Sequence, residues 1–128
     1  MTAAETSANR SKDWSRHPAS WLFWWGLPLL LAVSTNVLKL TLAETAFALS
    51  VAFAWAGTGC LLNARRCRRL HCIFMGPSLW LGAVAAALVG AGVIADAQAL
   101  NDVVWGTAIL FLLSYVPEVI WGKYACGP

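Results

Sequence analysis

Hydrophobic residues fall into four long continuous runs that are separated by short polar links. The runs cover residues 21–38, 45–62, 77–95 and 103–121. Each run is close to the ~20 residues that an α-helix needs to cross a bilayer. None of them alternates apolar and polar positions as a half-buried strand does. We therefore predict an all-α integral membrane protein, an up-down bundle of four transmembrane helices.

The polar segments on either side of these runs predict an orientation. Residues 1–20 are polar and are expected to form a mobile cytoplasmic tail ahead of a four-helix domain at 21–128. In a four-span arrangement nearly all basic residues fall on one side, namely Arg10, Lys12, Arg16, Arg65, Arg66, Arg68, Arg69 and Lys123. The other side carries only Lys39. Because basic loops stay on the cytoplasmic side, both termini are predicted to be cytoplasmic, in a cell (inner) membrane.

Composition excludes a soluble domain and narrows the function. Charged residues make up 12% of the chain and hydrophobic residues 59%, whereas soluble domains carry about 25% charged residues. No phosphate-binding loop or zinc-protease motif is present, so the sequence gives no indication of an enzyme. The bilayer is the predicted partner, with a homo-oligomer or a larger membrane complex as further options. The basic link is too short and too close to the membrane for nucleic acid.

Small residues and prolines predict how the helices pack. Gly82, Ala86 and Gly90 recur at four-residue spacing in the third run, and Ala52 and Ala56 belong to a similar stripe in the second. Such stripes allow helix backbones to approach closely in lipid, so these two runs should form the tight centre of the bundle. Pro28 and Pro117 should kink the first and fourth runs, because proline removes a backbone donor and crowds the preceding turn.

Cysteines and a histidine lie in and around the Arg-rich link and predict a soft-metal site. Cys67 and Cys72 have the spacing of thiolate metal ligands. His71 would share a helix face with Cys67 if the second helix continued through the link. Cys60 could relay an ion, and Cys126 could add a thiolate from the C-terminal end. Thiolate and imidazole favour copper, zinc or mercury-like ions, so a small carrier or binding protein for such an ion, or its thiol complex, is the preferred interpretation.

Two other interpretations of the same link stay open. In the first, the chain is a non-catalytic membrane subunit or scaffold, and the arginines set topology and bind lipid headgroups. Those arginines are Arg65, Arg66, Arg68 and Arg69. In the second, the cysteines perform thiol redox chemistry, as in quinone-linked disulfide-forming membrane enzymes. Those enzymes hold their reactive pairs on the oxidising side, whereas the predicted orientation puts Cys67 and Cys72 on the reducing side.

The link also resembles the pattern RCxRxHCxFxGP of a family of small four-span prokaryotic membrane proteins. The matching positions are Arg66, Cys67, Arg69, His71, Cys72, Phe74, Gly76 and Pro77. The resemblance covers the middle of the chain and implies the same four-span architecture, and it brings no particular activity. Local geometry offers a further explanation for the last two residues, since Pro77 suits the first turn of a helix and Gly76 permits a sharp entry.

Two polar residues within the apolar runs are further candidates. Glu118 lies near the cytoplasmic end of the fourth run, where an ionisable side chain is costly to bury. We expect it to pair with an arginine of the link, and a role in proton or ion transfer is the alternative. Asn36 lies toward the outer end of the first run and is expected to hydrogen-bond across helices.

Overall fold

The computed structural model describes residues 12–94 and 96–122, and in these ranges it contains helices and no strand. A 3₁₀ turn at Trp14–Arg16 precedes the first helix. The helices are α1 (Pro18–Trp21), α2 (Leu27–Val37), α3 (Leu42–Cys67), α4 (Leu70–Gly90), α5 (Ala97–Leu113) and α6 (Val116–Trp121). The predicted all-α class is confirmed.

Three helical segments are long and apolar enough to cross a membrane, within the residues described. They are Leu42–Cys67, Leu70–Gly90 and Ala97–Trp121. The first predicted run is helical too, but a π-helical turn at Leu22–Gly26 separates α1 from α2. The 11 residues of α2 extend only about 16 Å, roughly half of a bilayer core. The chain is thus a multi-pass membrane protein by its helices, with three clear candidate spans.

Both predicted proline kinks lie where the helices are interrupted. The π-helical turn at Leu22–Gly26 ends just before Pro28, and α5 ends at Leu113 just before Pro117. In each case the proline occupies one of the first two positions of the next helix. The missing N–H is harmless there, since the first N–H groups of a helix have no partner within it.

The centre of the fold is the close antiparallel pair of α3 and α4, as the small-residue stripes predict. Glycines allow the closest approach: a Cβ added at Gly57 would lie 3.2 Å from the carbonyl oxygen of Gly76. Helix α2 packs on α3, and α5 packs on α4. Most of the α5–α6 surface is apolar and exposed, since only 11% of its spanning window is buried. A bilayer would cover this surface.

The link between α3 and α4 is much shorter than predicted. Helix α3 continues to Cys67, the chain turns at Arg68 with φ 54°, and α4 begins at Leu70. The prediction that Pro77 begins a helix is therefore wrong, because Pro77 lies inside α4. The apolar residues before it pack on α3 and keep the helix intact. Gly76 serves this packing, since a Cβ there would lie 2.7 Å from the Leu61 side chain.

Candidate functional site

Charged and polar side chains from distant parts of the chain meet at the α3–α4 link. We call this group the arginine end: Asp13, Asn63, Arg69, His71 and Glu118. Asp13 precedes α1, Asn63 lies in the last turns of α3, Arg69 in the link, His71 in the first turn of α4 and Glu118 in α6. Asp13 and Asn63 are fully buried, and His71 is 7% exposed. Polar groups at this depth need partners within the protein.

Arg69 joins two carboxylates that lie far apart in sequence. Its Nη1 is 3.0 Å from Asp13 Oδ2, and its Nε is 3.2 Å from Glu118 Oε1. Burial opposes the charge of Arg69, but Asp13 and Glu118 outweigh this effect and raise its pKa. Glu118 thus pairs with an arginine of the link, as its position predicts. Arg65, Arg66 and Arg68 remain exposed.

Asn63 fixes the segment before α1 against the end of α3. Its Nδ2 donates to Asp13 Oδ1 at 2.9 Å, and its Oδ1 accepts from the Trp14 backbone N–H at 2.9 Å. Burial opposes the charge of Asp13, but hydrogen bonds from Asn63 and Ser15 and the nearby Arg69 lower its pKa. Arg66 adds a cation–π contact, 4.6 Å above the Trp14 ring. The expected mobile tail is therefore wrong for residues 13–20, which are helical or bonded to the bundle.

His71 is oriented by Glu118 and in turn contacts Cys72. Its Nδ1 lies 2.6 Å from Glu118 Oε1, and its Nε2 lies 3.3 Å from Cys72 Sγ. A carboxylate only accepts hydrogen bonds, so Nδ1 carries a proton, and His71 in its neutral form presents an unprotonated Nε2 to the thiol. The Tyr115 ring stacks on the imidazole at 4.8 Å and fixes its plane.

Cys60 and Cys72 form a buried pair between α3 and α4. Both residues are 0% exposed. Trp25 Nε1 donates to Cys60 Sγ at 3.3 Å. Both cysteines belong to a core cluster with Ala64, Met75 and Leu79. The chain therefore places two free thiols side by side, with an imidazole on one of them.

Cys67 does not join this pair in the way that sequence spacing predicts. Because the helix breaks at Arg68, Cys67 and His71 do not share a helix face, and Cys67 Sγ donates instead to the Asn63 carbonyl at 3.1 Å. Cys126 lies outside the described residues. Over 12–94 and 96–122, no group of three or more His, Cys, Asp or Glu side chains has the arrangement to hold a metal ion.

Asn36 does not bond across helices, contrary to the expectation. It is exposed, and its Nδ2 donates within α2 to the Val33 carbonyl at 3.4 Å. Sequence reasoning also missed Asp13, Asn63 and Trp25. Asn63 did carry a signal, since an amide near the end of an apolar helix needs a buried partner. Asp13 carried none, because nothing nearby in the sequence separates it from the solvated residues around it.

Comparisons with known proteins return nothing, since no family model, curated protein or solved structure matches this chain. The resemblance of residues 66–77 to the RCxRxHCxFxGP pattern therefore stays a prediction.

Proposed function

We propose that this chain is a four-span membrane protein whose Cys60–Cys72 pair cycles between dithiol and disulfide, with Cys72 as the reactive thiol. The observation that carries the proposal is the continuous series Glu118–His71–Cys72, with Cys60 in the same buried core cluster as Cys72. A nucleophile next to a base, with the base oriented by a third group, is the arrangement that activates nucleophiles in enzymes.

The chemistry follows from the hydrogen bonds. His71 Nε2 accepts the Cys72 proton, and Glu118 stabilises the imidazolium that forms. The thiolate is the reactive form of cysteine. Oxidation breaks both S–H bonds, forms the Cys60–Cys72 bond and releases two protons and two electrons. Both thiols are buried, so the electron acceptor must be a molecule small enough to reach them inside the helical bundle.

The four-span arrangement, with both termini on the cytoplasmic side of the inner membrane, belongs to the same proposal. Its support is that Asp13, Arg69 and Glu118 are in contact. These residues come before the first apolar run, between the second and third, and at the end of the fourth. They can meet at one membrane face only if an even number of crossings separates them. Residues 18–37, which are helical throughout, would form the first crossing.

The experiment uses the full chain in detergent with Cys67→Ser and Cys126→Ser, so that only Cys60 and Cys72 remain. The chain is incubated in buffers with an increasing ratio of oxidised to reduced glutathione, then alkylated and analysed by peptide mass spectrometry. We expect a Cys60–Cys72 disulfide that a reductant reverses. Glu118→Gln should slow oxidation and alkylation about tenfold, less than the ~10²–10⁴-fold that a general base itself contributes, because Glu118 orients the base and is not the base. Glu44→Gln, a carboxylate at the opposite end of the bundle, should leave both rates unchanged.

Two outcomes would overturn the proposal. One is the absence of a disulfide under the most oxidising buffer while the chain remains folded by circular dichroism. The other is an equal effect of Glu118→Gln and Glu44→Gln on thiol reactivity. Either result would mean that the pair is only a packing element, as buried cysteines often are.

Soft-metal binding is a second candidate, now with a revised ligand set. The contact between His71 Nδ1 and Glu118 is one that metal-binding histidines commonly make through their second nitrogen. Cys60 and Cys72 would be the two ligands, and thiolates select copper(I), zinc or mercury. Soft-metal binding would be established if the purified protein contained stoichiometric metal. Cys60→Ser/Cys72→Ser would have to lose this metal, and Cys67→Ser would have to keep it. Metal-free protein after loading with copper(I) would exclude it.

A further inference from the structure

A large cavity lies beside the thiol pair. It is lined by residues of α1 and α2 and by residues of α5 and α6. Its volume is about 1290 Å³, larger than the ~300–1,000 Å³ of most small-molecule sites. Residues of α3 and α4 form its floor, including Ala56 and Met75. Leu29 on α2 and Phe111 on α5 also line it. The cavity therefore suits a molecule with a long apolar part.

One end of the cavity is polar but carries no formal net charge. Asp13, Ser15, Arg16, Arg69, His71 and Tyr115 line it. The two arginines are balanced by Asp13 and by Glu118, which pairs with Arg69. Anionic lipid headgroups gain most where a basic cluster is left unneutralised. This end therefore favours an uncharged head group that accepts hydrogen bonds from hydroxyl or N–H donors.

The cavity also adjoins the two thiols, which do not themselves line it. His71 lines the cavity and touches Cys72, while Trp25 lines it and donates to Cys60. Ala56 lies one turn from Cys60, and Met75 one turn from Cys72. A ring bound at the polar end would lie one side chain away from both sulfur atoms, between aromatic side chains that favour stacking.

We propose that this cavity binds a lipid-soluble quinone, with the ring at the Arg69–His71 end and the isoprenoid tail along the apolar walls. The inference rests on the proposed dithiol function and names its electron acceptor. Two Cys S–H bonds break, one S–S bond forms, and two electrons and two protons convert the quinone to its quinol. The ring is neutral, its carbonyl oxygens only accept hydrogen bonds, and its tail is apolar, which matches the cavity at each point.

The binding experiment uses Cys60→Ser/Cys72→Ser, so that it is independent of redox chemistry. Decylubiquinone is titrated into this variant in detergent, and quenching of tryptophan fluorescence is expected to saturate, because Trp21, Trp25 and Trp121 line the cavity. Leu29→Trp, which narrows the cavity from an exposed wall position, should weaken binding about tenfold. Ala108→Phe, an enlargement at another exposed position, on α5, that does not line the cavity, should leave binding unchanged. Displacement of the quinone by phosphatidylglycerol would overturn the proposal in favour of an anionic-lipid site.

The redox experiment uses the reduced Cys67→Ser/Cys126→Ser chain without oxygen. One decylubiquinone per chain should be reduced as two thiols are oxidised. Leu29→Trp and Ala56→Phe should each slow this reaction about tenfold, whereas Ala108→Phe should leave its rate unchanged. If glutathione disulfide oxidises the pair and the quinone does not, this inference fails and the dithiol function stands. If neither glutathione disulfide nor the quinone produces the disulfide, both the quinone inference and the proposed dithiol function fail. If decylubiquinone oxidised the thiols of Leu29→Trp and Ala56→Phe as fast as those of the chain without these changes, the inference would also be overturned. The reaction would then take place outside the cavity.

Discussion

The two ends of the helical bundle handle polar residues in opposite ways. At the end formed by residues 38–41, 91–94 and 96, which we call the capped end, the hydrogen bonds of the described residues are local. Thr41 and Glu44 form a capping box, and Asp96 accepts from the Gln98 backbone N–H at 2.8 Å. At the arginine end, Arg69 bonds to Glu118 across 49 residues and to Asp13 across 56.

The difference shows how burial and sequence separation go together in this protein. A polar group at an exposed helix end can use water or a neighbour, so it needs no distant partner. A charge that is withdrawn from water needs an opposite charge and hydrogen bonds, and these can come only from segments that the fold brings together. The capped end therefore stabilises single helices, whereas the arginine end holds three segments of the chain to one another.

Removal of Arg69 should lower the stability of the protein more than any other change at either end of the bundle. Arg69→Met leaves Asp13 and Glu118 without their shared cation, and we expect the free energy of unfolding to fall by about 3 kcal/mol. Unfolding in mild detergent with increasing dodecyl sulfate, followed by circular dichroism, measures the change. Arg65→Met is the matched control at an exposed position and should change stability by no more than about 0.5 kcal/mol. Equal losses in both variants would contradict the buried ion-pair role.

Acidification should weaken the arginine end through Asp13. Because its folded-state pKa is lowered, its contribution to stability is present above the ordinary aspartate value of ~3.9 and is lost as pH falls through the folded value. The unfolding free energy of the native chain should therefore fall more steeply below pH ~4 than that of Asp13→Asn. Thr58→Ala, which removes a hydroxyl that donates to the Ala54 carbonyl of the same helix, should keep the native pH dependence. Identical curves for the native chain and Asp13→Asn would show that Asp13 contributes nothing to this dependence.

The smallest effect is expected at the capped end. Thr41→Ala removes the side-chain acceptor of the capping box and should lower stability by about 1 kcal/mol. The rate of Cys72 alkylation should not change, because the cap touches only its own helix. A slower alkylation in this variant would show that the two ends are coupled through α3.

Particular residues show how far sequence reasoning reached. The helical runs, the central pairing of the second and third runs, and the interruptions near Pro28 and Pro117 were predictable, because each depends on residues within one or two turns. The α3–α4 link was not: Arg68 in a left-handed conformation and Pro77 inside a helix are both locally unfavourable. Packing of Cys72, Met75 and Gly76 against α3 outweighs these local costs.

The candidate site divides in the same way. Cys60, Cys72, His71, Arg69 and Glu118 could be selected from sequence as chemically capable residues. Their grouping could not, since spacing favoured Cys67 with His71, whereas the fold pairs Cys60 with Cys72 and aims His71 at Cys72. A one-residue break at Arg68 is enough to rotate α4 relative to α3 and change which side chains face each other.

By itself, the sequence determined that this is a helical membrane protein, because long apolar runs can satisfy their backbone groups in lipid only as helices. It also determined that charge, thiol and imidazole are concentrated around one link. Only the tertiary structure decided that Asp13, from the polar N-terminal segment, pairs with Arg69. It also decided that Glu118 fixes the tautomer of His71 and that Cys60 and Cys72 lie together beside a cavity. The physical reason is that buried polar groups are matched by proximity in space, which the fold creates, rather than by proximity along the chain.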